Sequence, residues 1–347
     1  MISPIPEVSV IVPVYNEAAV LERTVATMLG QTFNGQLEFI FVDGGSDDGS
    51  REILERLALK DARVSVLTNP QRVEPAALNI GVSHASGTYL ALLNAHCRFP
   101  DDYLDQGVKR LSEPGATWVC GPALPEGQDP FSRAVARALV SPLGAGGSHK
   151  WRSPDAPPEP EVELDTGLFA GVVRRQTLVD LGPFDVEWTV NHDSEMAGRV
   201  LDSGGRIVQL SSMGAVYHPR STLRGLWRQY WRFGLYRVRT SQRHPVALRP
   251  FHIAAGALAL TPVIAVLLPR RYALPARLAL VLYAAAIART VTAGNHRSTL
   301  TERASVAMAL TTMHFGWGVG FLSGVARFGP PVDGLLHVLR IRRDQAR

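Results

Sequence analysis

Residues 37–50 read Leu37-Glu-Phe-Ile-Phe-Val-Asp-Gly-Gly-Ser-Asp-Asp-Gly-Ser50, an apolar run that changes abruptly into acidic and small residues. The apolar half predicts a short buried strand, because aromatic and β-branched side chains fit a pleated surface. The second half favours a tight turn, since Asp, Gly and Ser dominate such turns. Ile53, Leu54 and Leu57 follow at helical spacing, so the stretch predicts a strand, a turn and a helix in succession.

The same succession occurs on both sides of this stretch. Three further strands are predicted, at 8–14, 63–68 and 88–93. A helix is predicted after the first of them, with Asn16 as its cap, and another at 75–85. This repetition implies an α/β fold with a mainly parallel sheet covered by helices. Ligands bind beyond the carboxyl ends of such strands, which is where Asp43 and Asn94 are expected to lie.

Two segments at these strand ends resemble a known family. Val10-Ile-Val-Pro-Val-Tyr-Asn-Glu17 and Phe41-Val-Asp-Gly-Gly-Ser-Asp-Asp-Gly-Ser50 resemble the start of family 2 glycosyltransferases, which have the GT-A fold. The similarity is greatest to bacterial succinoglycan-type glucosyltransferases of exopolysaccharide assembly. It implies a Rossmann-like, nucleotide-sugar-binding catalytic domain over residues 1–245, followed by a membrane-associated helical region over residues 246–347.

The resemblance also implies an activity. The expected reaction is an inverting transfer of a hexose from a nucleotide-diphosphate donor, with a UDP-sugar as the expected donor. The expected acceptor is a hydroxyl of a membrane-borne, lipid-linked saccharide or polysaccharide precursor. An alternative with a different class of function is a non-catalytic membrane protein that only binds a nucleotide-sugar.

In this family the nucleotide is held at the ends of the first two strands. By resemblance, Pro13, Tyr15 and Glu17 would line the base and ribose pocket, and Asp43 would bond the base or the ribose. A carboxylate at a strand end can accept hydrogen bonds from a base N–H or a ribose hydroxyl, which agrees with that role. The alternative is that Asp43 and the acidic residues after it only cap the turn and the next helix.

A divalent cation is expected at the donor diphosphate, since neither GxGxxG nor GxxxxGK[ST] occurs in the sequence to cradle it. The family's Asp-x-Asp motif reads Asn94-Ala-His96 here, and hard cations such as Mg²⁺ or Mn²⁺ prefer the carboxylates that this motif lacks. Three outcomes stay open: weak binding through His96 and the diphosphate, a preference for manganese, or no need for metal. His96 could also bond the nucleotide or a loop carbonyl. By resemblance His218 is a further candidate ligand, against the alternative of a surface or core histidine.

The catalytic base is assigned to Asn191-His-Asp-Ser-Glu195, which sits where the family has a Glu-Asp-x-Glu-like motif. The match places Asp193 at the base position, and Glu195 would orient the acceptor or a loop. Inverting transfer needs one carboxylate that takes the proton of the acceptor hydroxyl. The alternative for Asp193 is an ordinary carboxylate at a helix N-terminus. Gly171 lies in a segment that resembles the part of the family under the donor sugar, although glycine also serves turns.

Gln229-Tyr-Trp-Arg-Phe233 resembles the Gln-x-x-Arg-Trp motif of polysaccharide synthases. By that resemblance Gln229 and Arg232 contact the acceptor or the diphosphate, where a guanidinium can stabilise departing negative charge. A second interpretation rests on composition, because residues 219–250 hold eight arginines and no Asp or Glu. Four of these arginines recur at every fourth position among aromatic residues, which is typical of an interfacial helix on anionic lipid.

Three apolar segments follow. Residues 253–268 are apolar for 16 residues, residues 274–293 are interrupted by two arginines, and residues 304–326 contain no charged residue over 23 positions. A helix needs roughly 17–25 apolar residues to cross a bilayer, so the third segment meets this length best. Two to three membrane segments are predicted, and a re-entrant hairpin of the first two is an open alternative to full crossings. The alternative is a buried core hairpin of a soluble protein.

The composition also sets an expected location. Cys97 and Cys120 are the only cysteines, which is too few for a disulfide framework or a zinc site and fits a reduced compartment. The arginine-rich stretch beside apolar segments favours the cytoplasmic leaflet of the cell membrane. A nucleic-acid-binding function is not expected, because this stretch adjoins apolar segments rather than a nucleic-acid motif.

Overall fold

The computed structural model describes residues 7–146, 148–157, 159, 161–165, 170–293 and 298–344. The chain forms two compact units, one of Met1–Leu124 with Pro154–Tyr217 and the other of Pro125–Ser153 with His218–Arg347. The second unit thus takes up residues 218–245, although the predicted limit of the catalytic domain is residue 245. That limit concerns function, and it stays a prediction.

Eleven strands lie in the described residues. They are β1 (Val8–Val14), β2 (Leu37–Asp43), β3 (Val64–Thr68), β4 (Tyr89–Leu92), β5 (Cys97–Arg98), β6 (Trp118–Cys120), β7 (Ala123–Pro125), β8 (Val162–Leu164), β9 (Gly171–Arg174), β10 (Ile207–Gln209) and β11 (Ala215–Tyr217).

The helices accompany them along the chain. The α-helices in the described residues are α1 (Ala18–Leu29), α2 (Ser50–Ala58), α3 (Glu74–His84), α4 (Tyr103–Ser112), α5 (Pro130–Val140), α6 (Pro142–Ala145), α7 (Arg175–Leu181), α8 (His192–Asp202), α9 (Leu223–Arg243), α10 (Pro250–Leu267), α11 (Arg270–Ala293), α12 (Leu300–Phe328) and α13 (Val332–Asp344).

The first unit is built on an eight-stranded sheet with the order β3-β2-β1-β4-β9-β6-β10-β8. The neighbours from β3 to β4 are parallel, β9 is antiparallel to both of its neighbours, and β8 is antiparallel to β10. A smaller sheet has the order β5-β11-β7. The predicted α/β class with a mainly parallel sheet is therefore confirmed.

The central strands are apolar almost without interruption because both of their faces are covered. Val10, Phe39 and Phe41 are fully buried, which is the pattern expected for interior parallel strands. Helix α3 packs directly on β1, and a side chain at Gly81 would overlap Ile11. A glycine is therefore needed at this helix–strand contact.

The register brings the ends of three strands to one edge of the sheet. Val14 of β1 pairs with Asp43, the last residue of β2. Beyond the β1–β4 ladder, the backbone N–H of Leu93 donates to the carbonyl of Ile11 at 3.0 Å. The segments that follow β1, β2 and β4 are consequently neighbours, as the sequence predicts.

Helix α12 lies at the centre of the second unit, where α5, α9, α10 and α11 pack against it. Its glycines allow this packing. A side chain at Gly320 would overlap the carbonyl oxygen of Trp231 on α9, and one at Gly318 would overlap that of Ala255 on α10. Such close approach at small residues is the usual means by which membrane helices associate.

Two helices, α10 and α11, are long and apolar enough to cross a membrane, and only 17% and 11% of their apolar windows are buried. They are joined through Leu268 and Pro269. The guanidinium of Arg277 on α11 donates to the carbonyl oxygen of Ala265 in the last turn of α10, at 3.1 and 3.0 Å. The charge that interrupts the second apolar segment is thus paired with a backbone group that the helix end leaves open.

These two helices coincide with the first two predicted apolar segments, 253–268 and 274–293. The segment 304–326, which sequence length favoured, forms the interior of α12, and ten residues of that helix are buried. Its glycines serve contacts with other helices, and the membrane role of this segment stays a prediction.

Candidate active site

The segments after β1 and β2 are bonded to each other. The side chain of Asn16 donates to Asp47 Oδ1 at 2.9 Å, and its own amide oxygen accepts from the backbone N–H of Asp47 at 3.0 Å. Asn16 adopts a left-handed conformation with φ of 55° to do so. The prediction that Asn16 caps the first helix is wrong. That helix begins at Ala18, whose backbone N–H donates to Asp48 Oδ2 at 2.9 Å.

Asp48 also joins the segments that follow β1 and β2 by hydrogen bonds. Its Oδ1 accepts from the backbone N–H and the hydroxyl of Ser50, at 3.0 and 2.6 Å. Desolvation acts to raise the pKa of Asp48, but the hydrogen bonds from Ser50 and Ala18 outweigh it and hold the pKa below its usual value. The carboxylate therefore remains ionised and keeps the two segments together.

Asp43 is fully buried at the end of β2. Its carboxylate accepts from the backbone N–H of Gly45 at 3.0 Å and from the hydroxyl of Ser46 at 2.6 Å. A guanidinium nitrogen of Arg51 lies 3.6 Å from its Oδ2. These contacts correspond to the turn-forming alternative, in which Asp43 shapes the loop. A bond from Asp43 to the base or ribose stays a prediction.

Glu17 and His96 meet although 79 positions separate them. The Oε1 atom of Glu17 lies 3.1 Å from Nδ1 of His96, and the imidazole packs edge-on against the ring of Tyr217. Both side chains stay partly open to solvent, with 24% of Glu17 and 41% of His96 exposed. The structure thus unites a predicted nucleotide residue with a predicted metal residue at the sheet edge.

Tyr15 is an exposed aromatic residue in the segment that follows β1. Its ring is 49% exposed, and the backbone of Gly44 passes close beside it, so that a side chain there would come within 3.2 Å of the ring. Pro13, which is also predicted to line the base and ribose pocket, is half-buried. An exposed aromatic face beside a polar loop is suited to stacking a planar base.

The donor set for a cation is small. Asn94 follows β4. Its backbone carbonyl oxygen accepts from the backbone N–H of Cys97 at 3.3 Å, which closes the turn that carries His96. Across the described ranges no group of three or more His, Cys, Asp or Glu side chains could hold a metal ion. His218 follows β11, and its Nδ1 lies 3.0 Å from the carbonyl oxygen of Glu126. The residues present fit a cation only if most of its ligands come from a diphosphate.

Asp193 lies in the first turn of α8 and is half-buried. Its Oδ1 accepts from the backbone N–H of Ser194 at 2.7 Å. Asn191 precedes the helix in a left-handed conformation and places no side-chain cap on it. The predicted helix at this position is confirmed, and the role of Asp193 as the general base stays a prediction.

Glu195 has a different environment two residues later. It is fully buried, and both of its oxygens accept from Arg199 at 2.8 Å. Arg199 also donates to the carbonyl oxygens of Leu181 and Pro183, at 3.2 and 2.8 Å. These contacts correspond to the loop-supporting role for Glu195, and a contact with the acceptor stays a prediction.

Gly171 begins β9 with φ of 145°. A side chain at this position would overlap the indole of Trp118 and lie 2.7 Å from the carbonyl oxygen of Val119. The glycine therefore serves close packing inside the sheet, and its role toward a sugar stays a prediction. Residues 166–169 of the same predicted segment lie outside the described residues.

Gln229 and Arg232 lie on α9 in the second unit. They are three positions apart, so they share one face of the helix. Both are half-buried and make contacts within the chain. The predicted helix for this segment is confirmed, and its role toward an acceptor stays a prediction.

One candidate was missed by the sequence interpretation. Arg72 follows β3, adopts a left-handed conformation with φ of 56°, and lies so close to Gly45 that a side chain there would approach its guanidinium to 3.3 Å. It supplies a positive charge beside the loop that follows β2. The available signal was its place just after a third predicted strand end, at the same sheet edge.

Comparisons with known proteins identify the family of the chain. The profile of a family described as Glycosyl transferase family 2 matches residues 9–162. The succinoglycan biosynthesis protein ExoA of Rhizobium meliloti (strain 1021) is 32% identical over 267 residues, which make up 72% of this chain and 77% of that protein. The chain belongs to glycosyl transferase family 2.

Two further proteins are similar to this transferase. The undecaprenyl-phosphate 4-deoxy-4-formamido-L-arabinose transferase of Salmonella choleraesuis (strain SC-B67) is 29% identical over 145 residues, which are 41% of this chain and 44% of that one. The mannosyltransferase PcManGT from Pyrobaculum calidifontis, solved with GDP-Man and Mn²⁺, has a TM-score of 0.54 at 22% identity, over 90% of this chain and 88% of that one. The second likeness shows the fold alone. The predicted GT-A fold, the predicted family and the expectation of a glycosyltransferase are confirmed.

Proposed function

We propose that the transferase moves a hexose from a nucleotide-diphosphate donor, a UDP-sugar, to a hydroxyl of a lipid-linked saccharide, with inversion at the anomeric carbon. The observation that carries the proposal is the Glu17–His96 contact at the sheet edge, beside the bonded segments after β1 and β2. The aromatic ring of Tyr15, the carboxylate of Glu17 and the imidazole of His96 lie at this edge, where parallel sheets bind nucleotides.

The donor's nucleotide end is assigned to these segments. The base stacks on Tyr15 beside Pro13, and Glu17 accepts from a ribose hydroxyl. Asp43 acts on the nucleotide by holding the loop of Gly44 to Ser46 in shape. Because this loop is already bonded to the segment after β1, little ordering is needed when the donor binds.

The diphosphate is assigned to the turn that carries Asn94 and His96. These two side chains, with His218 as a further candidate, would hold a divalent cation together with the diphosphate oxygens. Such a cation would supply positive charge to the departing diphosphate. Mn²⁺ is preferred over Mg²⁺ in this proposal, because the set contains imidazole nitrogen and lacks an Asp-x-Asp pair. Arg72 adds a fixed positive charge beside the loop after β2.

Asp193 is the proposed general base. It takes the proton of the acceptor hydroxyl while that oxygen attacks the anomeric carbon. The bond from the anomeric carbon to the diphosphate oxygen breaks, and the nucleoside diphosphate leaves with the electron pair. Glu195 keeps the loop of Leu181 to Pro183 in place through Arg199, and Gly171 allows close packing next to the sugar. Gln229 and Arg232 are assigned to the acceptor or the diphosphate.

The acceptor is proposed to be membrane-borne. Helices α10 and α11 suit a bilayer by length and composition, and a relative is named for undecaprenyl phosphate. We place the catalytic unit on the cytoplasmic side of the cell membrane, since the arginines of residues 219–250 favour that leaflet.

The test is an Asp193→Asn variant in a transfer assay with a panel of nucleotide-sugars and Mn²⁺. Transfer should fall by at least about a hundredfold, as expected for loss of a general base, while donor binding is retained. Asp105→Asn is the matched control, since Asp105 is an exposed carboxylate in the first turn of α4. Equal turnover by Asp193→Asn and the wild type would refute the assignment.

A further inference from the structure

The segment that leads to the proposed general base has no regular structure of its own. Residues 182–191 lie between α7 and α8, are all described, and contain no helix or strand. Asn191, which precedes α8, places no side-chain cap on the helix that bears Asp193. The position of Asp193 is therefore set by contacts with other elements of the first unit.

One of these contacts comes from Asn79 on α3. Its Nδ2 donates to the carbonyl oxygen of Phe184 at 2.8 Å, and its Oδ1 accepts from the backbone N–H of Phe184, also at 2.8 Å. The two residues are 105 positions apart. A side-chain amide carries a donor and an acceptor side by side. Asn79 can thus bond both backbone groups of Phe184, as a neighbouring strand would.

Phe184 relays this position to the start of α8. It is buried, and the imidazole of His192 packs edge-on against its ring, with 6.1 Å between the ring centroids. Nδ1 of His192 is buried and has no hydrogen-bond partner in the part of the chain that the structure describes. The imidazole is therefore oriented by its packing on Phe184 more than by hydrogen bonds, and Asp193 is the next residue.

Helix α3 also meets the start of α8 through Glu74, its first residue. Oε1 of Glu74 lies 3.7 Å from Nε2 of His192. Arg72, two residues before Glu74, lies beside Gly45 in the loop after β2. The contact thus brings the first turn of α8 to the sheet edge where the segments after β1 and β2 meet.

We propose that Asn79 is a positioning residue for Asp193. The inference rests on the proposed function, because Asp193 is the general base of that reaction. By fixing Phe184, Asn79 holds the ring of His192 and with it the first turn of α8. The carboxylate of Asp193 then keeps the distance to the acceptor hydroxyl that proton transfer needs. A misplacement of about 1 Å in such a group can cost roughly a hundredfold in rate.

The test compares the wild type with two variants. Asn79→Leu bonds neither backbone group of Phe184, and Asn79→Asp keeps only the acceptor, so it gives the answer if the first variant does not fold. Transfer is measured with the nucleotide-sugar that the wild type uses fastest, and folded molecules are counted by calorimetric titration with UDP and Mn²⁺. The kcat per folded molecule should fall at least about tenfold in Asn79→Leu and less in Asn79→Asp. The KM for the donor should stay within about twofold, because only the position of the base changes. An unchanged kcat in both variants would overturn the proposal.

A double variant separates positioning from a general effect on the fold. In the Asp193→Asn background, Asn79→Leu should lower kcat by less than about a further twofold, because the group that it positions has lost its function. Losses that multiply would mean that Asn79 acts independently of Asp193 and would overturn its positioning role. Leu54→Ala is the matched control for stability, since Leu54 is fully buried on α2, outside the core cluster that contains Phe184. This control should lower the stability of the fold and leave the kcat of folded molecules unchanged.

A spectroscopic signal reports on the segment without any turnover. Trp188 lies within residues 182–191 and is buried, and its backbone N–H donates to the carbonyl oxygen of Asp185 at 3.0 Å. In protein labelled with fluorotryptophan, the fluorine resonance of Trp188 is assigned through a Trp188→Phe variant. It should shift or broaden in Asn79→Leu and stay unchanged in Leu54→Ala.

The two proposals fail in different ways in these experiments. Full turnover by Asp193→Asn would refute the general base, and the proposed transfer chemistry with it, whatever the Trp188 resonance shows. A large loss in Asp193→Asn together with an unshifted Trp188 resonance in Asn79→Leu would overturn the positioning role of Asn79 alone.

Discussion

Replacing Gly320 with alanine tests the packing of α12 on α9. A Cβ at this position would overlap the carbonyl oxygen of Trp231 and lie 2.8 and 2.9 Å from the carbonyl carbon and Cα of the same residue. The carbonyl oxygen is the limiting atom at 2.0 Å, and because carbon–oxygen contacts lie at about 3.3 Å or more, the helices must separate locally by about 1.3 Å. The obstructing atoms are backbone, which cannot rotate away as a side chain could.

The magnitude follows from two opposing effects. Overpacking of a tight contact costs about 1–3 kcal/mol, whereas Gly to Ala inside a helix stabilises by about 1 kcal/mol. The difference lies between about 0 and 2 kcal/mol, and because rigid backbone atoms obstruct the new Cβ, we expect the upper end, a net loss of about 2 kcal/mol in the free energy of unfolding for Gly320→Ala. Gly316→Ala is the matched control on the same stripe, because its Cβ would meet no atom closer than 3.3 Å. This variant should be neutral or slightly stabilised.

The assay is equilibrium unfolding of both variants and the wild type in mixed micelles, followed by tryptophan fluorescence. Trp227, Trp231 and Trp317 lie on the two helices and report on their separation. A Gly320→Ala variant as stable as Gly316→Ala would refute the conclusion that the glycines set the distance between α9 and α12.

Two further predictions concern the first unit. Glu195→Gln should lower the free energy of unfolding by about 3 kcal/mol, because it leaves the Arg199 guanidinium without its buried counter-charge. In urea titrations, the double variant with Arg199→Met should recover most of this loss, and no recovery would argue against the pairing. Asn94→Asp should strengthen the dependence of transfer on Mg²⁺ in a metal titration, because a carboxylate binds hard cations better than an amide. An unchanged metal response would mean that this position does not contact the cation.

Much of the first unit could be predicted because its signals are local. The first strand begins and ends where the run of β-branched residues does, at Val8 and Val14. The ends of the strands before Asp43 and Asn94 were predicted from the same kind of apolar run. The carboxyl ends of parallel strands lie at one edge of a sheet, so both residues were expected there.

What was missed depends on contacts between distant positions. Asn16 looks like a helix cap in its own segment, but it bonds Asp47, which is 31 positions away. Likewise, no local pattern shows that His96 meets Glu17, which is 79 positions away. Periodicity locates an element, while the partners of its polar groups depend on the fold as a whole.

The apolar segments show a second limit. Counting uncharged residues favoured 304–326 as a membrane segment because glycine does not interrupt such a run. In the structure, glycine is what lets α12 pack among other helices. Packing among helices is compatible with either role, so the membrane role of 304–326 stays a prediction.

The bond from Arg277 to the last turn of α10 bears on how the chain is made. A guanidinium is costly in hydrocarbon unless it is paired, and its partner here is a carbonyl oxygen of the preceding helix. Ribosomal synthesis delivers α10 first, so the partner is already present when α11 emerges. The two helices are thus suited to enter a bilayer together as one inserted hairpin, whereas α11 alone would be a poor substrate for the insertion machinery.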